Sequence, residues 1–172
     1  WHPHQRWLDG LYMAGPIAAE YASHFDKKEY LDITIEQILL MREKTIDEKT
    51  GLWYHAYDCE KLVDWADKET GLSSEFWGRS IGWVPIAILD DMDHMKESHP
   101  MYEKLKGIVC ELLKAICRYQ SEDGRWYQVV DKGGQEGNWL ETSCTCLFVA
   151  AICKTVKNAK AAFKSEVNNV PI

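Results

Sequence analysis

Five stretches of helical periodicity, separated by two loops that repeat each other, constrain this chain more than any other feature of its sequence. Apolar residues recur at three- and four-residue spacing in segments 10–24, 27–45, 73–95, 99–120 and 139–158. Leu31, Ile35, Ile38 and Leu39 trace the second stripe, and Leu105, Ile108, Val109, Leu112, Leu113 and Ile116 the fourth. Between the stripes lie GLWYHAYD (51–58) and DGRWYQVVD (123–131), which share Gly-x-Trp-Tyr-x-x-x-Asp. Gly51 and Gly124 supply the left-handed turn that follows a helix. A polar-aromatic cluster precedes or opens the first, third and fifth stripes: WLDGLY, EFWGRSIGW and NWLETS. Their acids Asp9, Glu75 and Glu141 recur at about 66 residues, the scale of a two-helix repeat with a long loop. Outer helix, aromatic loop and inner helix then form the unit of a ring of αα-hairpins. Inner helices of such a ring are apolar on most faces, as IGWVPIAIL and CTCLFVAAIC are. Strand-like alternation is scarce and short.

Five or six helices are roughly half of what a closed ring of this kind contains, and a half-ring leaves apolar inner faces uncovered. The expectation is therefore one domain over residues 1–172 that forms the C-terminal portion of a longer protein. The sequence opens on Trp1 with neither an initiator Met nor a signal peptide, in keeping with an absent upstream part. The tail from Ala159, AKAAFKSEVNNVPI, reads as the start of a further outer helix.

Composition narrows the function. Hydrophobic residues make up 46% and charged residues 27%, the profile of a globular protein. No apolar run approaches the roughly 20 residues needed to span a bilayer, so no membrane partner is expected. Net charge is −7 without a basic cluster, which argues against a nucleic-acid partner. Six cysteines contain no Cys-x-x-Cys pair, and four fall in apolar helical patterns, where free thiols act as small hydrophobes. They read as reduced thiols, which points to the cytoplasm. The 8 Trp and 8 Tyr are numerous, and an indole serves equally as core or as a stacking face for a sugar ring.

WLDGLYMAGP, TGLWYHAYD and FWGRSIGW, in this order and spacing and followed by GNWLETS, resemble the unsaturated rhamnogalacturonyl hydrolases of glycoside hydrolase family 105, relatives of the unsaturated glucuronyl hydrolases. The resemblance runs from Trp7 to about Lys157. It implies an all-α fold, part of an (α/α)6 barrel that is incomplete here. It also implies removal of a 4,5-unsaturated galacturonyl residue from the non-reducing end of pectin-derived oligosaccharides, with no metal and no organic cofactor. Asp9 matches the family's general acid/base, and Trp7, His55, Trp77, Arg79 and Trp83 match positions lining its sugar pocket. A further carboxylate and histidine of the family fall before residue 1. His2 and His4 stand at other distances and receive no role.

The chemistry of such a sugar explains why one carboxyl suffices. Glycosidases acting on saturated sugars flank the bond with two carboxylates. An unsaturated uronide carries an enol ether at C4=C5. Protonation at C4 leaves an oxocarbenium-like centre at C5 that water attacks, and the hemiketal collapses without displacement at the anomeric carbon. A carboxyl packed against indole and away from water holds a proton more tightly, and Trp7 is placed to supply that packing for Asp9. Gly10 would admit substrate to the backbone.

Each residue has a structural reading beside the functional one. Asp9 ahead of an apolar helix is also a good N-cap. His55 in a Trp-Tyr-His loop is also a structural hydrogen-bonder. Arg79 is a surface ion-pair residue or, between Trp77 and Trp83, a cation for a sugar carboxylate. Asp58 and Asp131 read as turn residues, Glu75 and Glu141 as helix N-terminal acids, with Trp139 and Glu141 as minor mouth contacts. DDMDHMKESH (90–99) reads as a solvated helix end rather than a metal site. A non-catalytic carbohydrate-binding or truncated remnant is the competing function. Another α/α-toroid carbohydrate enzyme, such as an epimerase, shares the fold but not the motif order. The sequence leaves the oligomeric state open, and a lone half-barrel is expected to be weakly active or inactive.

Overall fold

The computed structural model describes residues 2–168, with side chains described as far as residue 159. Five helices carry most of them: α1 (Asp9–Phe25), α2 (Lys28–Thr45), α3 (Gly78–Asp93), α4 (Tyr102–Cys117) and α5 (Thr142–Asn168). Helix α1 packs on α3 and α3 on α5, while α2 lies behind α1 and α4 behind α3. The first, third and fifth helices are thus the inner layer and the second and fourth the outer, as the loop repeat predicts. Central helix α3 is buried on nearly every face, from Ile81, Val84 and Pro85 through Ala87, Ile88, Leu89 and Met92. Outer helix α4 buries a single stripe, Leu105, Ile108, Val109, Leu112, Leu113 and Ile116, as its sequence periodicity requires.

Two short antiparallel ribbons tie the aromatic loops to the starts of inner helices. Strand β1 (Gln5–Trp7) pairs with β2 (Ala56–Asp58), with Trp7 opposite Ala56. Strand β3 (Trp126–Tyr127) pairs with β4 (Leu140–Glu141). The equivalent tryptophans of the two loops, Trp53 and Trp126, are both fully buried. The indole N–H of Trp126 donates to the carbonyl of Ile116 at 2.9 Å. These two indoles are core, and that of Trp126 is satisfied at its polar end. Gly51 (φ 74°) and Gly124 (φ 86°) adopt the left-handed backbone expected of them.

Three expectations need correction. Helix α3 starts at Gly78 rather than near residue 73, because Trp77 bridges Val129 and the Phe76 carbonyl takes the Val130 N–H. Those interstrand bonds compete with a helical turn. The tail does not begin a new helix: α5 continues to Asn168, and residues 169–172 lie outside the described residues. All six thiols are free, but of the helical ones only Cys144 is fully buried, and Cys117, Cys146 and Cys153 are exposed.

Close approach of inner helices depends on small residues. A Cβ on Gly82 would sit 2.8 Å from Cβ of Leu147, and one on Gly78 would sit 3.0 Å from Cβ of Cys144. Gly82→Ala should therefore destabilise the chain by about 1–3 kcal/mol through overpacking of α3 on α5. The shift of the denaturant midpoint at unchanged slope measures it.

Candidate active site

The β1–β2 ribbon delivers the chain into α1 so that Trp7, Leu8 and Asp9 meet the first aromatic loop. Leu8 is fully buried, and its N–H donates to the His55 carbonyl at 3.1 Å. Asp9 is the first residue of α1, half-buried, with Leu8 as N-cap and no side-chain capping bond. The capping reading of Asp9 is therefore not what the structure contains. Its Oδ2 instead accepts the hydroxyl proton of Ser80, a fully buried residue in the first turn of α3. One turn further along both helices, Tyr12 of α1 stacks on Trp83 of α3 with centroids 4.5 Å apart. Asp9–Ser80 and Tyr12–Trp83 are successive rungs between two inner helices, set by their i, i+3 geometry.

His55 Nδ1 lies 2.7 Å from the Glu75 carbonyl oxygen and 3.1 Å from the Ser73 hydroxyl. A carbonyl only accepts, so Nδ1 carries a proton, and the tautomer this fixes leaves Nε2 as the accepting nitrogen. The Trp7 ring lies 5.6 Å from His55 and 5.2 Å from Trp65, and its indole N–H donates to Gln5. Trp77 meets His55 edge-on at 5.9 Å, and the Arg79 guanidinium carbon sits 4.6 Å over the Trp77 ring. Trp7, His55, Trp77 and Arg79 thus form one continuous chain of contacts, with Arg79 exposed. Among the described residues Arg79 enters no ion pair. A cavity of about 670 Å³ opens against Trp7, Asp9, Gly10 and Trp77. His55, Arg79 and Trp83, expected to line the sugar pocket, lie outside this lining.

Sequence reasoning missed part of this lining. His2, Gln5, Arg6, Gln37 and Met41 also face the cavity, and Arg6 donates to Gln37 at 2.7 Å. Arg6 brings a cation into a cavity of a negatively charged protein. Its place one residue before Trp7 was the available signal. Ser80 was hidden inside the motif quoted for Arg79, because nothing in a sequence pairs one helix's first turn with another's.

The other acids divide unevenly. Burial acts to raise Asp58, yet the N–H groups of Val63, Glu60 and Leu62 hold it below the usual carboxylate range, the turn role expected. Burial acts to raise Glu141 as well, but the Cys144 and Ser143 donors at the start of α5 hold it low. Glu75 is no helix acid; it pairs with Lys132 at 2.6 Å. Asp131 also departs from its counterpart, since burial pushes its carboxyl up and Oδ1 lacks a partner. Trp139 is exposed. In 90–99 the solvated reading fails at Asp91, which is fully buried with neither oxygen hydrogen-bonded. Among the described residues, the metal-ligating groups that approach within 4.8 Å of one another are His4, Cys59 and Glu60, all exposed. Among the described residues, too, no helix is long and apolar enough to cross a membrane.

The sequence profile of Glycosyl Hydrolase Family 88 matches residues 1–169. The chain belongs to this family. Within the group that joins family 88 to family 105, the family 88 chain is similar to the unsaturated rhamnogalacturonyl hydrolase YesR of Bacillus subtilis, 26% identical over 155 residues. That match covers 90% of the chain and 42% of the relative. A 24.9 kDa protein of the picA locus in Rhizobium radiobacter is 29% identical, over 84% of the chain and 61% of its own length. A solved family 105 glycoside hydrolase of C. acetobutylicum superposes with a TM-score of 0.88 at 38% identity, covering 91% of the family 88 chain and 44% of the enzyme. The unsaturated glucuronyl hydrolase of Bacillus sp. GL1 superposes at 0.69 with 13% identity, over 91% of the chain and 43% of the enzyme, a likeness of fold alone. The chain spans about two fifths to three fifths of the length of these relatives. Its five helices are part of the (α/α)6 barrel.

Proposed function

We propose that this family 88 chain is the C-terminal portion of a six-hairpin barrel, residues 1–172 forming one domain, that hydrolyses 4,5-unsaturated galacturonyl residues at the non-reducing end of rhamnogalacturonan-derived oligosaccharides. The observation that carries the reading is Asp9, held by buried Ser80 at the wall of a cavity it shares with Trp7 and Trp77. Asp9 delivers a proton to C4. Water adds at C5 and returns its proton to Asp9, and the resulting hemiketal opens to a C5 ketone. The C1 hemiacetal so released expels the sugar hydroxyl, so the net change is addition of one water. Trp7 and Trp77 offer apolar faces to the ring, His55 Nε2 accepts from a sugar hydroxyl, and Trp83 braces the wall below. Arg79 pairs with the uronate, for which its planar fork is suited. No metal or organic cofactor enters this scheme. Six free thiols accord with a cytoplasmic setting.

Incubation of the full-length protein with an unsaturated rhamnogalacturonan disaccharide should remove the ultraviolet absorbance of its conjugated C4=C5 bond. Binding without absorbance loss by the assembled protein would instead identify a carbohydrate-binding remnant. A lone half-barrel is expected to turn over weakly or not at all, because an incomplete pocket does not preorganise its acid. Arg79→Ala should raise KM about ten- to a hundredfold, the value of a lost charge-assisted hydrogen bond, with a smaller change in kcat. An unchanged KM would remove Arg79 from the carboxylate subsite.

A further inference from the structure

Hydroxyls on the helices of this chain return to their own backbone where they can. Thr34, Thr45 and Thr145 donate to the carbonyls of Tyr30, Met41 and Glu141, each four residues back, at 3.0, 2.7 and 2.7 Å. Ser80 departs from that habit. The residue four back is Phe76, and its carbonyl already takes the Val130 N–H at 3.0 Å. The Gly78 N–H donates to the Gln128 carbonyl at 2.7 Å, and Trp77 bridges Val129, so segment 128–130 pins the start of α3. Ser80 is fully buried, away from water. Among the described residues its hydroxyl makes one bond, to Oδ2 of Asp9, 71 positions away. Both partners sit in the first turns of inner helices that lie wholly within this chain.

That bond makes the two carboxyl oxygens of Asp9 unlike. Oδ2 is taken by Ser80, whereas Oδ1 accepts no hydrogen bond among the described residues. We propose that Ser80 is a positioning residue for proton transfer, holding Oδ2 so that Oδ1 alone exchanges the proton with the sugar. The proposal rests on the reading of Asp9 as the proton donor. Oδ2 keeps a lone pair for Ser80 whether or not Oδ1 is protonated, so the hydroxyl donates throughout the cycle. As the O–H bond at Oδ1 breaks, its electron pair stays on the carboxyl and the C4=C5 π pair forms the new C–H bond. The water that adds at C5 later returns a proton to Oδ1. A hydrogen bond to a carboxylate is stronger than one to a carboxylic acid. The Ser80 bond therefore tightens as the proton leaves, and it favours the transition state over the bound substrate. Tyr12 stacked on Trp83, one turn further along, keeps the two helices in the register that the bond requires.

In the full-length protein, Ser80→Ala should lower kcat for an unsaturated rhamnogalacturonan disaccharide about ten- to a hundredfold, the value of a lost hydrogen bond to a charged group. KM should change by less than about twofold, because Ser80 does not touch the sugar. A hydroxyl that only braced the wall would instead loosen the pocket and move KM, and that outcome overturns the proposal. Should the alanine variant lose its helical circular dichroism, Ser80→Cys decides. A thiol fills the same space but donates weakly, so its kcat should fall at least about fivefold. The parent kcat in the folded Ser80 variant, with Asp9→Asn inactive, would overturn the role of Ser80 and leave Asp9 as the acid. Parent turnover in Asp9→Asn would remove both.

Discussion

In the full-length protein, Asp9→Asn should lower turnover of an unsaturated rhamnogalacturonan disaccharide by about 10²- to 10⁴-fold, or below detection, while leaving the fold unchanged. The amide keeps a carbonyl oxygen that accepts the Ser80 hydroxyl, so the rung between α1 and α3 survives. It has no acidic proton for C4 and takes none from the attacking water. On the proposed roles of Trp7, Trp77 and Arg79 in holding the sugar, the loss should appear in kcat with KM nearly constant. Asp9→Ala breaks the Ser80 rung as well and should cost stability in addition to turnover. Absorbance loss that persists in the Asn variant would sink the mechanism, whereas its disappearance together with helical signal would report only unfolding. Circular dichroism alongside the assay separates the two.

The second large effect is on stability against pH. Asp91 lies on α3 against Gly15 of α1 and Thr34 of α2, with its oxygens 3.3 Å from where a Gly15 Cβ would stand. Burial, with the neighbouring Asp90 charge adding to it and Lys154 opposing, pushes its carboxyl up to about 8. In the unfolded chain the same group titrates near the ordinary 3.8. Between those values the folded state holds a proton that the unfolded state lacks, so stability falls as pH rises across that window. The slope is about 1.4 kcal/mol per pH unit, and it ends once the folded carboxyl itself ionises. The unpaired charge then sits between three helices, where no donor meets it. Thermal melts from pH 5 to 9 should show this decline in the parent chain and lose that contribution in Asp91→Asn. Equal pH dependence in both chains would mean that Asp91 finds a partner or water in solution.

Asp91 also marks where sequence reading stops. DDMDHMKESH reads as solvated because its acids are dense, yet helix phase turns Asp91 alone toward α1 and α2 while Asp93 stays exposed. The helix period orders the faces, but which face meets a neighbour depends on how three helices pack. The same limit separates Asp58 from Asp131, identical in their repeat positions. One receives several backbone N–H donors from its turn, and the other is left with a buried oxygen. Local motif similarity carries the chain path and not the partners.

The periodicity and the repeated Gly-x-Trp-Tyr loops determined by themselves that this is a chain of αα-hairpins with alternating inner and outer helices. That information is local, since stripes and left-handed turns depend on residues within a few positions of each other. The order of WLDGLYMAGP, TGLWYHAYD and FWGRSIGW determined the family as well. Only the tertiary structure decided that Asp9 answers to Ser80 rather than to its own helix end, and that Arg6 and His2 face the cavity beside Trp7. It alone turned Met13, Ile17, Tyr21 and Phe25 outward along one edge. Those outcomes rest on contacts between segments far apart in the chain, and such contacts follow from packing that no local pattern encodes.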